Sequence, residues 1–208
     1  LWIFFQSQST GPCSGKTTGQ THVATFFESL GWKVYCVPEI AATLLNGGIR
    51  FPDLNQEQRD KFQENLIKVM IAMERTFFAL ANSSSQNCLV ICDRGIMDAT
   101  AYMSRDGWRR MMNTFGWNMV ELRDNRYNQV VHLVTAADGA ERYYELNQVR
   151  TESAELAREL DRRTMAAWVG HPAIDVIDNS CGTDFKAKMC KLIAAVCRRT
   201  GIEAGDRL

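Results

Sequence analysis

The hydrophobic positions of this chain fall into short continuous runs that alternate with longer amphipathic stretches. A short apolar run is typical of a parallel strand buried on both faces, whereas apolar residues at three- and four-residue steps predict helices. The predicted strands cover residues 1–5, 32–37, 88–92, 129–135 and 173–177. The predicted helices cover residues 21–30, 40–45, 55–82, 97–104, 106–114, 117–125, 151–169 and 183–199. This alternation predicts an α/β fold, with a parallel sheet of about five strands and helices on both of its faces.

The longest helical pattern, residues 55–82, predicts one helix with an apolar face. Asn55 and Gln58 resemble a capping box, in which two side chains satisfy free N–H groups at a helix start. The apolar positions of the pattern are Phe62, Leu66, Val69, Met73, Phe77 and Leu80. We interpret this stripe as the face that packs on the core, although a docking surface would show the same pattern.

The turn after the first strand carries the clearest functional motif. Residues 10–18 read Thr-Gly-Pro-Cys-Ser-Gly-Lys-Thr-Thr, between an apolar strand and a helix. In this context the free N–H groups of the turn and of the first helical turn converge on one point, where the helix dipole favours a polyphosphate. The motif therefore predicts the phosphate-binding loop of a P-loop NTPase. The predicted nucleotide-binding residues are Gly11, Pro12, Cys13, Ser14, Gly15, Lys16, Thr17 and Thr18.

Thr10 departs from the full loop pattern, Gly-x-x-x-x-Gly-Lys-Ser/Thr, which begins with glycine. If that position requires a positive φ, a β-branched residue is strained there by about 1–3 kcal/mol. The alternative interpretation is an ordinary strand-to-helix turn that contains Gly-Lys-Thr by chance.

Lys16, Thr17 and Asp93 form the predicted catalytic and magnesium group. Lys16 would reach the terminal phosphates, and the Thr17 hydroxyl would complete the shell of a magnesium ion. Asp93 follows the third strand, as the acidic residue of a Walker B element does, and would hold the same metal. Asp93 could instead cap the next helix. The adjacent Arg94 could contact a substrate or pair with Asp93 or Glu39.

Three further charged residues are catalytic candidates. Glu39 follows the second strand, where a carboxylate could orient a substrate hydroxyl or act as its base. Alternatively, Glu39 is a solvated acid at a helix start. Arg142 and Arg158 follow the fourth strand and could neutralise the transferring phosphate as part of a lid. Glutamates interleave with the arginines of this region, so most of these arginines are expected on a solvated face.

Asn179 follows the fifth strand, beside the expected pocket for a purine base, so either a base contact or an ordinary polar turn fits it. The chain has no Asn-Lys-x-Asp guanine motif and no Asp-x-x-Gly switch. This absence disfavours a Ras-like GTPase and favours a kinase-like arrangement, although guanine could still bind through other contacts.

Composition narrows the remaining classes. The chain has 208 residues, 46% of them hydrophobic, which suits one large domain. Its 24 basic and 24 acidic side chains balance, so no net charge recruits nucleic acid. Seven cysteines without Cys-x-x-Cys spacing indicate reduced thiols and a cytoplasmic location. No apolar run approaches the roughly 20 residues of a transmembrane segment.

Several long runs resemble the P-loop domain of the TRPL translocation defect protein family, which is grouped with the kinase domain of bacterial NadR proteins. The runs are residues 11–20, 26–35, 87–95, 121–130 and 168–172. Where the family loop has glycine, this chain has Thr10 and Ser14.

The resemblance implies a P-loop NTPase fold, GTP binding, phosphoinositide association and a role in membrane-protein trafficking, peripheral to membranes. It also implies a further C-terminal domain, so residues 1–200 are expected to form the nucleotide-binding domain and residues 201–208 to begin a linker.

The sequence therefore predicts a magnesium-dependent protein that binds a purine nucleoside triphosphate, GTP or ATP, and responds to it in trafficking of a membrane-protein client. The first alternative is a kinase that transfers the γ-phosphate to a nucleoside-like or other small hydroxyl compound. The second alternative is a degenerate scaffold that no longer binds nucleotide.

Overall fold

The computed structural model describes residues 2–7, 16–135, 138, 154–180 and 185–204. Its five strands are β1 (Trp2–Ser7), β2 (Lys33–Val37), β3 (Cys88–Cys92), β4 (Gln129–Leu133) and β5 (Ile174–Ile177). They form one sheet in the order β2-β3-β1-β4-β5, and every pairing is parallel. The predicted α/β architecture with parallel strands is confirmed.

Six α-helices connect and cover the strands. They are α1 (Lys16–Ser29), α2 (Ile40–Asn46), α3 (Gln56–Asn82), α4 (Arg105–Phe115), α5 (Ala154–Trp168) and α6 (Phe185–Thr200). Two 3-10 segments, Phe51–Asp53 and Ile96–Ala101, and one π-helical turn, Val120–Asp124, complete the described elements. No helix in the described part of the chain is long and apolar enough to cross a membrane.

The inner strand β3, between β2 and β1, shows why its sequence is continuously apolar. All five of its residues are fully buried, because both faces of the sheet are covered. Cys88, Val90 and Cys92 belong to a core that includes residues of α3, whereas Leu89 and Ile91 pack in a second core with α1 and α6. Alternate side chains of one strand therefore anchor both helical layers.

The boundaries of several elements differ from the sequence-based prediction. Helix α1 begins at Lys16, five residues before the predicted start at residue 21, because its first turn is polar and carries no apolar repeat. The predicted helix 97–104 is the 3-10 segment Ile96–Ala101, and the predicted helix 117–125 is reduced to the single π-helical turn. The expected linker lies partly outside the described residues, which end at residue 204.

Helix α3 confirms the predicted capping box, since Asn55 and Gln58 bond reciprocally at 2.9 Å. The predicted core stripe is wrong at Val69 and Leu80, which are 39% and 50% exposed. The buried face lies beside that stripe and includes polar as well as apolar side chains: Asp60, Gln63, Leu66, Ile67, Met70, Ile71, Glu74 and Ala81. A hydrophobic pattern could not select this face, because polar residues contribute to it.

Glu74 of α3 lies at the centre of a buried polar network. Its carboxylate accepts hydrogen bonds from Arg126 Nε and, at 2.9 Å, from the Tyr127 hydroxyl. Burial raises the pKa of Glu74, and the Arg126 guanidinium opposes that rise only in part. The Tyr127 hydroxyl also accepts a hydrogen bond from the backbone N–H of Ile96 at 3.1 Å. The network therefore attaches α3 to the 3-10 segment Ile96–Ala101.

We expect Arg126→Leu to lower the free energy of unfolding by about 3 kcal/mol, because it leaves the Glu74 carboxylate buried without its cation. Urea unfolding of the variant measures this loss. The matched control is Arg109→Leu, since Arg109 pairs with Asp106 on the exposed surface of α4, and we expect a change within about 1 kcal/mol. Equal losses from the two substitutions would show that the network does not stabilise the fold.

Candidate functional site

The carboxyl ends of β2 and β3 lie side by side and supply the first two residues of the site. Val37 pairs with Cys92 in the sheet register. The backbone N–H of Asp93 donates to the Val37 carbonyl at 3.2 Å, which extends this pairing by one residue. Asp93 is therefore the first residue after β3 and Glu39 the second residue after β2, so both lie at the same edge of the sheet, as expected for residues that follow adjacent parallel strands.

Lys16, the first residue of α1, lies between these two acids. Its Nζ is 3.2 Å from Glu39 Oε2 and also contacts Asp93 Oδ1. Only 15% of the Lys16 side chain is exposed. The structure thus brings together three of the residues predicted from separate motifs.

The two carboxylates differ in their ionisation. Burial opposes ionisation of Glu39, but the Arg94 and Lys16 cations outweigh it and lower the pKa of this carboxyl. Burial raises the pKa of Asp93, and Lys16 offsets that effect only in part. The pKa values of the two carboxyls therefore shift in opposite directions, that of Glu39 downward and that of Asp93 upward.

Arg94 pairs with Glu39, which is one of the alternatives left open by the sequence. Its Nε donates to Glu39 Oε1 at 3.1 Å, and its Nη1 lies 3.9 Å from Asp98 Oδ2. Burial opposes the charge on Arg94, but interactions with Tyr102, Glu39 and Asp98 raise its pKa, so it stays a cation. Arg94 therefore links Glu39, which also pairs with Lys16, to the 3-10 segment Ile96–Ala101.

Asp98 holds this segment against α5. Its Oδ1 accepts a hydrogen bond from Trp168 Nε1 at 2.8 Å, in a fully buried contact. Burial raises the pKa of Asp98 to about 6, although Arg94 and Trp168 favour the charged form. Trp168 packs edge-to-face on Tyr127, with ring centroids 5.5 Å apart. The position of Arg94 thus depends on contacts from α5 and from the turn before β4.

A cavity of about 190 Å³ adjoins the charged group. Glu39, Arg94 and Asp98 contribute to its lining, and most of the remaining wall is apolar. Most of the other lining residues belong to α2, α3 and the two 3-10 segments. Glu39 connects the cavity to the charged group, because one of its carboxylate oxygens contacts Lys16 and the other contacts Arg94.

The remaining loop residues are placed only in part. Thr17 and Thr18 lie in the exposed first turn of α1, after Lys16. The Thr17 carbonyl accepts a hydrogen bond from the Thr21 hydroxyl at 2.9 Å. The predicted loop residues Gly11, Pro12, Cys13, Ser14 and Gly15 lie outside the described residues, as does Arg142. Their roles remain predictions.

Arg158 and Asn179 are not brought into contact with the charged group by any described interaction. Arg158 is half-buried on α5, and no described residue bonds its Nε. The Asn179 side chain donates to the Thr135 carbonyl at 2.8 Å and to the Asp138 carbonyl, and it accepts from Lys188 Nζ at 2.7 Å. These bonds match the polar-turn interpretation of Asn179, and its base contact remains a prediction.

Asp98 and Gln63 are the site residues that sequence reasoning missed. Asp98 lies four residues after Arg94, a spacing that suits an ion pair within a helix, but the segment predicted there carried no other chemical signal. Gln63 is a polar residue beside the apolar stripe of α3 and lines the cavity. Nothing in a hydropathy pattern distinguishes it from the exposed polar residues of that helix.

The chain belongs to the protein family described as an AAA domain, which matches residues 10–184. The match includes the phosphate-loop motif, Glu39 and Asp93, and it supports a P-loop domain that binds nucleotide. No curated protein is similar enough to the chain to count as a relative.

We expect Asp98→Asn to change how stability depends on pH. An aspartate titrates near pH 3.9 in an unfolded chain, whereas the pKa of folded Asp98 is about 6. Between these values the folded state binds the extra proton, so this carboxyl stabilises the fold at about pH 4, and the stabilisation is lost as the pH rises through 6. The loss is on the order of 3 kcal/mol.

Urea unfolding at pH 4, 5, 6 and 7 measures this effect. The wild type should lose more stability over that range than Asp98→Asn, because the amide retains the acceptor for Trp168 and has no proton to release. Asp106→Asn, at an exposed position of α4, is the control and should follow the wild type. Parallel pH profiles for the wild type and Asp98→Asn would contradict a raised pKa at Asp98.

Proposed function

We propose that this domain binds a magnesium complex of a purine nucleoside triphosphate, ATP or GTP, and transfers the γ-phosphate to a hydroxyl group of a small compound in the cavity. The observation that carries this proposal is the position of Glu39. One of its carboxylate oxygens contacts Lys16, and the same residue lines the cavity. A phosphate donor held by Lys16 and an acceptor held in the cavity would therefore meet at Glu39.

The nucleotide half of the proposal is supported by the family match and by the position of Lys16. A lysine at the first position of a helix can add its charge to the free N–H groups of the helix start. In this protein Lys16 is already desolvated and paired with two carboxylates. A triphosphate would replace these partners with phosphate oxygens.

The residues present fit a magnesium ion. Magnesium keeps several waters and takes one or two protein oxygens together with those of the phosphates. Asp93 provides a largely buried carboxylate that already attracts one cation, Lys16, and Thr17 provides a hydroxyl in the same helical turn as Lys16. Asp93 and Thr17 would hold the ion, which when bound neutralises charge on the phosphates.

In the transfer step Glu39 is the proposed base. The acceptor oxygen attacks the γ-phosphorus, its proton passes to the Glu39 carboxylate, and the bond between the γ-phosphorus and the bridging oxygen breaks to release the nucleoside diphosphate. The lowered pKa of Glu39 keeps its carboxylate ionised before the transfer, as a general base must be. Arg94 orients this carboxylate through its 3.1 Å hydrogen bond. Arg142 and Arg158 remain candidates for neutralising the phosphate.

The sequence resemblance implies two further roles. Phosphoinositide association and trafficking of a membrane-protein client are supported by the resemblance alone, since none of the described residues can be assigned to either role. A nucleotide switch with slow hydrolysis would use the same Lys16 and Asp93 but would leave the cavity beside Glu39 without a purpose. That cavity is the reason we favour phosphate transfer.

Lys16→Ala should weaken binding of magnesium ATP or GTP about 10- to 100-fold, because it removes a charged hydrogen-bond donor to the phosphates. Calorimetric titration of the purified domain measures the affinity. Lys61→Ala, which removes an exposed lysine of α3, is the control and should leave the affinity unchanged. Equal affinities for wild type and Lys16→Ala would disprove the nucleotide site, and a wild type that binds neither nucleotide would support the scaffold alternative.

Glu39→Gln should lower kcat for phosphate transfer by about 10²- to 10⁴-fold, because the amide cannot accept the proton. To measure this rate, the domain is incubated with magnesium ATP or GTP and a panel of nucleosides and polyols, and the release of nucleoside diphosphate is followed. The nucleotide affinity should stay within about threefold, and the exposed control Glu121→Gln should behave as wild type. Nucleotide binding without acceptor-dependent transfer in the wild type would favour the switch over the kinase.

A further inference from the structure

The cavity beside Glu39 has the size and lining of a site for one aromatic ring. Its volume is about 190 Å³, compared with about 150 Å³ for an engineered apolar cavity that binds benzene. Phe51, Phe62 and Tyr102 line it. Phe51 packs edge-to-face on the other two rings, with centroid distances of 5.9 Å to Phe62 and 6.5 Å to Tyr102. This aromatic wall favours a planar ligand.

Gln63 supplies a hydrogen-bonding group that none of the described residues uses. The residue lines the cavity and is only 4% exposed. Its Oε1 is buried and has no hydrogen-bond partner in the part of the chain that the structure describes. Buried amide oxygens are nearly always paired, because an unpaired acceptor has lost its water without compensation. A ligand N–H group that enters the cavity would provide the missing partner.

The charges of the cavity disfavour an anionic ligand. Arg94 is the cation of its lining, and it already faces two carboxylates, Glu39 at 3.1 Å and Asp98 at 3.9 Å. A carboxylate or phosphate ligand would add a third negative group to one guanidinium. A neutral ring with an N–H donor avoids this repulsion and matches both the apolar wall and Gln63.

We infer that the phosphate acceptor is a hydroxyl compound with a single heteroaromatic ring whose N–H donates to Gln63 Oε1, of which a pyrimidine nucleoside is the simplest example. This inference rests on the proposed function, because it takes Glu39 as the end of the cavity that faces the acceptor hydroxyl. Gln63 is then the residue that selects the ring, and Glu39 is the residue that acts on the hydroxyl.

Ligands with and without the donor test this inference. Uridine and cytidine carry an N–H group, whereas 3-methyluridine and N4,N4-dimethylcytidine have it blocked. In calorimetric titrations of the wild-type domain, we expect at least one parent nucleoside to bind about tenfold more tightly than its blocked partner, which corresponds to about 1.4 kcal/mol. Adenosine, with two fused rings, should bind more weakly than that parent.

Gln63→Leu should reduce the preference within that pair to less than about threefold, because leucine has a similar volume and no acceptor. Gln63→Glu retains an acceptor and should restore the preference. Gln86→Leu, at an exposed position outside the cavity, should keep the wild-type preference. The inference is overturned if neither pyrimidine nucleoside binds the wild type, or if the preference survives in Gln63→Leu.

Two further measurements keep the outcomes separate. Gln63→Leu should have an unchanged or higher Tm, because it removes an unpaired buried oxygen; if it fails to fold, the comparison of blocked and unblocked ligands on the wild type decides the inference. Phosphate transfer is measured on the same material with magnesium ATP and GTP. Selective binding without transfer would overturn the proposed function but support the ring site. Transfer to ringless polyols alone would support the proposed function but overturn the ring site.

Discussion

The site depends on one cation, the ammonium of Lys16, held between carboxylates from two adjacent strands. Glu39 and Asp93 follow β2 and β3 at the same edge of the sheet, and their mutual repulsion contributes to the raised pKa of Asp93. Lys16 relieves that repulsion and ties the start of α1 to both strands. Any anion that draws Lys16 away leaves two partly buried carboxylates in need of another cation, a requirement that a magnesium nucleotide meets.

The second carboxylate oxygen of Glu39 extends this charged group into the rest of the fold. Arg94 connects Glu39 to Asp98, Asp98 accepts a hydrogen bond from Trp168, and Trp168 packs on Tyr127. These contacts join β2, the 3-10 segment Ile96–Ala101 and α5 around one side of the cavity. Because Arg94 is largely buried, Trp168 is fully buried and both are bonded within this chain of contacts, the orientation of Glu39 is fixed by packing as well as by charge.

Gln63 differs from these bonded groups, since none of the described residues bonds its side-chain oxygen. It lies on the buried face of α3, beside the aromatic wall of the cavity. Glu74, on the same helix, has the opposite character, since Arg126 and Tyr127 both bond it. The contrast separates a polar residue that holds the fold from one that has no partner among the described residues.

The sequence by itself determined the alternation of strands and helices, the parallel arrangement and the P-loop motif, because apolar runs and local turn chemistry are properties of neighbouring residues. It also singled out Lys16, Glu39 and Asp93, since each lies at a predicted strand or loop end. Only the tertiary structure decided that α1 begins at Lys16, which face of α3 is buried, and that Arg94 bonds Glu39 across 55 positions of sequence. Contacts between residues so far apart in sequence, and the cavity lined by Gln63, depend on how separate elements pack. A local sequence pattern therefore cannot predict them.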